Sequence, residues 1–441
     1  MKVHTFKKGI HPVEFKHYTS SKEIEILPLP DDVYIPLQQH FGACCDPLVK
    51  KGDEVKTGQL IGASDAFISS PIHATVTGVV KAVDSFPYPA GGYVQTIHIH
   101  RTGDDEWDLL PAYRDWKSLS IKKLNSQIRD AGIVGMGGAA FPTHVKLAPP
   151  EEKPIDTFIL NGCECEPFLT ADHRVMVEMA EKVLTGMKIL MKVLGVGKGY
   201  IGIEMNKPDA IDIMSAKVVQ SDLDIQVMPL EVKYPQGAEK MLIYAILKRK
   251  VPAGGLPMDV GVVVNNVGTA VSVAEAVTEG KPLIQRVVTV TGDGIKEPKN
   301  LLMRIGTPFQ HAIEYCNGLV DETAKIFMGG PMMGIAQYDL SVPVVKATSG
   351  IVASTRVGKV ESQPCIRCGN CVRYCSMYLL PTRLARLSEL GNYSEAHELG
   401  ILNCVECGSC AFECPSSIPL VQWIRVGKLC VGEMLQKQVK N

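Results

Sequence analysis

Several features are scarce in this sequence, and each scarcity narrows the reading. Net charge is only −1 over 441 residues, which excludes a nucleic-acid binder steered by bulk charge. No stretch reaches the ~18 consecutive apolar residues of a spanning helix. The longest uncharged runs, such as residues 260–274, contain Asn265 and Asn266. The opening MKVHTFKKGIHP has no apolar h-region, so no secretory signal is expected. Without one, the 14 cysteines do not read as a disulfide framework, and closely spaced cysteines read better as metal ligands. A chain of this length holds two to four domains. The expectation is a soluble protein that can dock on a membrane partner.

Eight of the cysteines form two C-terminal runs. The first is Cys365-x2-Cys368-x2-Cys371-x3-Cys375, and the second is Cys404-x2-Cys407-x2-Cys410-x3-Cys414-Pro415. This is the bacterial ferredoxin pattern, in which three cysteines wrap one cube and the fourth reaches the neighbouring one. Cluster 1 is therefore assigned to Cys365, Cys368, Cys371 and Cys414, and cluster 2 to Cys404, Cys407, Cys410 and Cys375. Zinc ribbons use two Cys-x2-Cys pairs per metal, not four cysteines in one run. Ser376 stands where the second run has Pro415, which loosens a turn without removing a ligand. Two such clusters carry single electrons, so a substrate site must lie elsewhere.

Residues 28–100 alternate apolar residues with Gly, Pro and Asp turns and predict an all-β barrel-sandwich module. It resembles biotinyl/lipoyl carriers but lacks their Met-Lys-Met turn, so no carrier role is expected. His73 reads as a packed or surface histidine. Residues 101–120 show no clear period and read as a linker. From Ile121 a helical face appears (Ile121, Leu124, Ile128) and stops at Gly132. Strands are predicted at 156–162 and 200–204, with an amphipathic helix between them through Val183, Met187, Leu190 and Leu194. Alternation of this kind argues for an α/β domain with a mostly parallel sheet. The dinucleotide-like GVGKG at 195–199 follows a helix and precedes a strand, so Gly195 reads as a helix C-cap. Residues 280–340 predict a small α+β module: a strand at 286–293, a helix near 301–316, and a segment at 325–334. Its Met328, Met332 and Met333 read as core filler.

The stretch GIVGMGGAAFPTHVKL holds four glycines in seven residues: Gly132, Gly135, Gly137 and Gly138. Such a loop lets backbone approach a ligand and offers N–H groups to phosphate oxygens. It lacks the Gly-Lys-Ser/Thr ending of a P-loop, and alone it fits a mere turn equally well. It is similar, however, to the flavin loop of the NADH-oxidising flavoprotein subunit of respiratory complex I. NGCECEP (161–167), YPQGAE (234–239) and VVVNNVGTA (262–270) resemble further segments of that family, in the same order.

This resemblance implies a Rossmann-like domain in which Gly135, Gly137, Gly138, Lys146, Asn161, Asn265, Asn266 and Thr269 hold non-covalent FMN. Glu164, Glu166, Tyr234, Gly237 and Glu239 would line the flavin and nicotinamide side. Read singly, Asn265 and Asn266 also fit a turn cap, and Glu166 a solvated loop charge. Cys163 replaces an acid of the complex I version, and Ala238 replaces a Glu.

The domain order resembles the RnfC family of Rnf electron-transport complexes. The expected fold is multidomain α/β plus β: a barrel-sandwich module (1–115), a Rossmann-like FMN/NADH domain (120–275), a β-grasp, SLBB-like module (280–345) and a two-[4Fe-4S] ferredoxin-like domain (355–441). The N-terminal KKGIHPVEFK and the segment at 34–62 look like that family too, although Cys44 and Cys45 stand where small or polar residues are expected. Cobalamin reductases place the barrel after the flavin domain, an order absent here. The resemblance implies one component of an ion-translocating ferredoxin:NAD+ oxidoreductase (Rnf) complex. It would exchange hydride between NAD(H) and FMN and pass single electrons through two [4Fe-4S] clusters. No side-chain acid or base is assigned a catalytic role. Expected partners are the other Rnf subunits, both the membrane subunits and the ferredoxin-like one, and, indirectly, ferredoxin. The expected place is the cytoplasmic face of the membrane. The alternatives are a soluble NADH-dependent flavin/iron–sulfur reductase for another acceptor, such as cobalamin, and a non-catalytic electron-relay adaptor.

Overall fold

The computed structural model describes residues 2–356 and 361–440. Its first all-β unit has two small sheets. Strands Asp32–Pro36, Tyr93–Arg101, Gly78–Pro87 and Glu54–Val55 pair antiparallel in that order, and Asp46–Pro47, Leu60–Ala63 and Ile72–His73 make the second sheet. Alternating residues such as Val33 and Ile35, or Ile97 and Ile99, point inward and are fully buried. His73 is buried with them.

Within the expected 1–115 module, the first strand of the sandwich is Asp32–Pro36. The preceding residues run over the other domains. His4 and Ile10 bridge to Leu230 and Tyr234, and Ile24–Ile26 adds a parallel strand beside Lys299–Arg304. At the other end, the stretch read as a linker is tethered. The Leu110 and Tyr113 N–H groups donate to the carbonyls of Gly280 (2.8 Å) and Val277 (2.7 Å).

The central domain has a four-stranded, wholly parallel sheet in the order Asp224–Leu230, Lys198–Glu204, Thr157–Gly162, Val262–Asn266. Strands Thr157–Gly162 and Val262–Asn266 are buried almost throughout because helices cover them, whereas the edge strand Asp224–Leu230 exposes Asp224 and Gln226. The helix Ala180–Leu194 ends at Gly195 with φ 69°, the left-handed cap expected there. This helix and Val267–Thr278 pack so closely that a Cβ at Gly186 would collide with the carbonyl oxygen of Ala270.

The third unit is a six-stranded mixed sheet: Ile24–Ile26, Lys299–Arg304, Gln285–Thr291, Gly350–Ser354, Lys325–Met328 and Ile335–Gln337. The helix expected near 301–316 is shorter, Phe309–Tyr315, and its first half is the strand Lys299–Arg304. Leu301 and Met303 enter this domain's core while Leu302 packs on the neighbouring one, so the apolar run is a strand covered on both faces. The helix starts only after Pro308, a residue suited to a helix start and not to an interior.

The C-terminal unit packs Pro381–Glu389 and Tyr393–Glu398 against the long helix Leu420–Lys440, with the short helices Asn370–Tyr374 and Ser409–Phe412 beside the cysteine runs. No described helix is long and apolar enough to cross a membrane.

The Gly186 contact is testable. In a free helix Gly→Ala gains up to ~1 kcal/mol. At this crossing the added methyl overpacks a backbone, a cost of about 1–3 kcal/mol. Gly186→Ala should therefore lower the thermal unfolding midpoint. A raised midpoint would show that the two helices part freely.

Candidate flavin and iron–sulfur site

The carboxyl ends of the parallel strands carry Asn161 and Asn265–Asn266, and the glycine loop and residues 234–239 close over the same edge, the usual ligand crevice of an open α/β sheet. The loop is held from several sides. Gly132 has φ +66° and abuts the Pro71 carbonyl of the barrel module, leaving no room for a side chain. The Gly135 N–H donates to the Phe141 carbonyl (2.9 Å), and the Met136 N–H donates to Thr269 Oγ1 (2.9 Å). Gly137 packs on Asn266, where a Cβ would lie 3.0 Å from Nδ2, and Gly138 faces open space.

Asn266 accepts from the Gly268 N–H (2.8 Å), capping the next helix, and donates to Asp172 (2.6 Å). Asn265 is buried, and its Nδ2 has no partner. A buried amide donor without an acceptor is costly unless a ligand supplies one. This orphan donor beside an open glycine cradle fits FMN.

Asn161 Nδ2 donates to the Gly237 carbonyl (2.8 Å), and its Oδ1 accepts from the Cys163 N–H (3.1 Å). The Gly237 N–H in turn points at Cys165 Sγ (3.3 Å). Cys163, in the place of an acid, is fully buried, and burial pushes its thiol well up, so it stays neutral. Lys146 is ion-paired with Glu239, bringing two of the expected residues together at the rim. Glu164, at φ 46°, accepts the N–H groups of Asp172 (2.8 Å) and His173 (3.1 Å), so its carboxylate caps the helix Ala171–Glu178.

Glu166 faces the third domain. Its carboxylate accepts the N–H groups of Met332 (3.1 Å) and Met333 (2.8 Å) and lies against Gly330. Burial raises its pKa to about 7, and the two amides pull it back down. Met332 and Met333 are therefore not core filler: Met333 is exposed, and the backbone of this segment makes the contacts. Met328 alone of the three packs on the core.

Two buried groups escaped sequence reading. Arg286, fully buried, donates to the carbonyls of Met136 (3.4 and 3.5 Å) and Lys346, fixing the glycine loop from the third domain. Burial lowers its pKa to about 10, with Asp172 and Glu164 opposing, so it keeps its charge at neutral pH. Lys16 donates to the carbonyls of Glu164 (2.7 Å), Glu166 (3.0 Å) and Leu169 (2.6 Å), holding the NGCECEP loop in place. The only signal for Arg286 was a lone charge heading an apolar strand.

Tyr234 joins the pocket to the clusters. It is buried, and its hydroxyl donates to the Cys407 carbonyl (2.7 Å). Gly408 packs on the Met332 carbonyl, so the second cysteine loop touches both the pocket rim and the third domain.

The cysteine runs fold as a repeat. Arg367 and Glu406 both have φ 56°, Gly369 and Gly408 have φ 80° and 83°, and Tyr378 and Ser417 have φ 58° and 50°. Cys375 lines one cavity with Cys404, Cys407 and Cys410, walled by Leu384 and Ile424. The Cys414 side crosses back: Ser416 Oγ donates to the Pro364 carbonyl (3.0 Å), next to Cys365. The Leu379 and Glu406 N–H groups point at the sulfurs of Cys375 and Cys404 (3.4 Å each). Four thiols with N–H donors and an apolar wall suit a four-iron cube.

Comparison with known proteins assigns each unit. Family models match the RnfC barrel sandwich hybrid domain at residues 4–104, the Nuo51 FMN-binding domain at 128–275, the SLBB domain at 287–336 and a 4Fe-4S dicluster domain at 364–418. The C subunit of the proton-translocating ferredoxin:NAD(+) oxidoreductase complex of Clostridium ljungdahlii is 52% identical over 397 residues, covering 89% of this chain and 86% of the relative. The Na(+)-translocating counterpart of Acetobacterium woodii is 45% identical over 427 residues, 96% of each chain. The C subunit of the ion-translocating oxidoreductase complex of Rhodobacter capsulatus is 42% identical over 444 residues, 99% of this chain and 84% of the relative. The chain belongs to the RnfC family, the C subunits of ion-translocating ferredoxin:NAD(+) oxidoreductase complexes.

Proposed function

We propose that this chain is the NAD(H)-reactive, electron-relaying subunit of such a complex. The observation that carries the reading is the direct bond from Tyr234, at the rim of the flavin-binding crevice, to the Cys407 loop. Bound FMN supplies the conversion between a two-electron hydride and single electrons. The protein supplies position and electrostatics. Gly135, Gly137 and Gly138 let the backbone approach the flavin, with Asn161, Asn265, Asn266, Thr269 and Lys146 around it. Glu164, Glu166, Tyr234, Gly237 and Glu239 line or brace the nicotinamide side. Cys404, Cys407, Cys410 and Cys375 hold the cluster nearer the flavin, and Cys365, Cys368, Cys371 and Cys414 the outer one.

Net flow runs from reduced ferredoxin to NAD+, with this chain as the NAD+-reducing end. Its partners are the membrane subunits, which move the ion, and the ferredoxin-like subunit that feeds the outer cluster. It sits peripherally on the cytoplasmic face of the membrane.

The reconstituted chain should bind FMN, and anaerobic NADH should bleach it. A chain that holds no flavin, or a flavin NADH cannot reduce, removes this reading and leaves a relay adaptor.

Lys146 sits beside the cradle with Glu239 as its partner. Lys146→Ala removes a cation suited to an anionic ligand and leaves a carboxylate unpaired. FMN retention should fall while iron content stays at the wild-type level. Equal loss of both would mark a general folding defect.

The crossed ligation gives a third test. Wild type should hold about eight irons, two cubes of four. Cys375→Ser should damage the cluster of Cys404, Cys407 and Cys410, and Cys414→Ser that of Cys365, Cys368 and Cys371. EPR on paired variants reads this. If Cys375→Ser and Cys365→Ser perturb the same cluster, each run is self-contained.

A further inference from the structure

The N-terminal segment lies between the flavin-binding domain and the first cysteine run. The Ile10 N–H donates to the Tyr234 carbonyl (2.9 Å), and the Tyr234 N–H donates back to Ile10 (2.9 Å). One residue earlier, the Gly9 N–H donates to the Tyr374 carbonyl (3.2 Å), beside Cys375. Lys8 Nζ donates to the Val372 carbonyl (2.9 Å) and stands 4.2 Å above the Tyr378 ring. Val372 and Tyr378 flank Cys375 by three residues on either side, so the ammonium is held over the turn that carries this thiol.

The backbone there is unusual. Lys8 and Gly9 are both left-handed, with φ 64° and 80°. A lysine at positive φ is strained, and such a conformation persists where surrounding contacts over-determine it. At Gly9 a Cβ would lie 2.7 Å from the Tyr234 carbonyl oxygen and 2.8 Å from the Phe6 ring, so only glycine fits.

We propose that Lys8 and Gly9 are positioning residues for electron transfer: they clamp the Cys375 turn to the Tyr234 loop, and the Lys8 ammonium stabilises the reduced cluster held by Cys375. Reduction adds a negative charge to the cube, and a fixed cation in a half-buried setting favours it. Net charge, hydrogen bonding and solvent exposure around the sulfurs set the potentials of such clusters. The clamp holds one cluster from two sides. Tyr234 takes the Cys407 loop through its side chain, and Gly9, next to the Ile10 that pairs with the Tyr234 backbone, takes the Cys375 turn through its N–H. Both sides of one cluster are thereby referred to one loop of the flavin-binding domain. This inference rests on the flavin-to-cluster reading above.

The test uses the full chain loaded with flavin and iron. Lys8→Met keeps side-chain length and removes the charge. In an EPR redox titration it should move the cluster bounded by Cys375 to lower potential, leave the other cluster in place, and leave total iron unchanged. Lys8→Arg should restore the wild-type value. Gly9→Val should still bind flavin that NADH bleaches, while the following reduction of the clusters slows about tenfold or more relative to bleaching, since small misplacements carry large kinetic costs. An unmoved potential in Lys8→Met, or equal shifts of both clusters, overturns the charge assignment. Wild-type cluster reduction in Gly9→Val overturns the clamp. If NADH fails to bleach wild type, the functional reading itself has failed. If wild type bleaches and these variants behave as wild type, only the clamp has.

Discussion

The structure turns on a distance constraint between a flavin crevice and a cluster carried on different domains. One residue meets most of it. Tyr234 is paired through its backbone to Ile10 and through its hydroxyl to the Cys407 carbonyl, so the N-terminal segment, a loop of the α/β domain and a cysteine loop meet at one buried residue. The SLBB-type domain adds a second tie, because Glu166 holds the amides of Met332 and Met333 while Gly408 packs on the Met332 carbonyl. Contacts from the other domains thus converge on the Tyr234 and NGCECEP loops, and the barrel sandwich abuts the start of the glycine loop at Gly132.

Buried lysines tie these loops and seams together. Lys346 donates to Ser70 Oγ (3.3 Å) and to the carbonyls of Pro71 (2.7 Å) and Gly132 (2.7 Å), so one ammonium joins three domains. Lys207 donates to the Cys163 carbonyl (2.6 Å) and Asn206 Oδ1 (2.7 Å) beside Glu204. Lys16 does the same for the loop that bears Glu164 and Glu166. A buried ammonium is tolerated when its three protons find acceptors, and removing one side of such a set strands the other. Burial lowers the Lys346 pKa to about 7. Because the folded value lies below the unfolded one, this group costs the fold stability as pH falls below its ordinary range, and the cost stops growing once pH passes below about 7.

The parts legible in the sequence were local ones. Cysteine spacing and glycine density are written within a dozen residues, and the parallel sheet follows from the alternation of apolar runs. What escaped was long-range or carried by backbone. Arg286 finds the Met136 carbonyl 150 positions away, and Lys16 finds Glu166 at the same separation. Neither leaves a periodic trace. Met332 and Met333 were read by their side chains, but it is their amides that meet Glu166. The run at 301–303 has apolar residues on both sides because two cores flank it, which erases the alternation that marks a half-buried strand. The role of residues 4–26 as a strap was hidden because pairing with Leu230, Tyr234 and Asn300 is decided by tertiary contact.

We propose that the cluster nearer the flavin is the one enclosed by Cys375, Cys404, Cys407 and Cys410. Pulsed EPR on the loaded, partly reduced chain measures the distance from the flavin to each reduced cluster, with the two told apart by single-cluster cysteine variants. The account predicts the shorter distance to the cluster lost in Cys375→Ser. A shorter distance to the cluster lost in Cys414→Ser would contradict it and reverse the order of the wire.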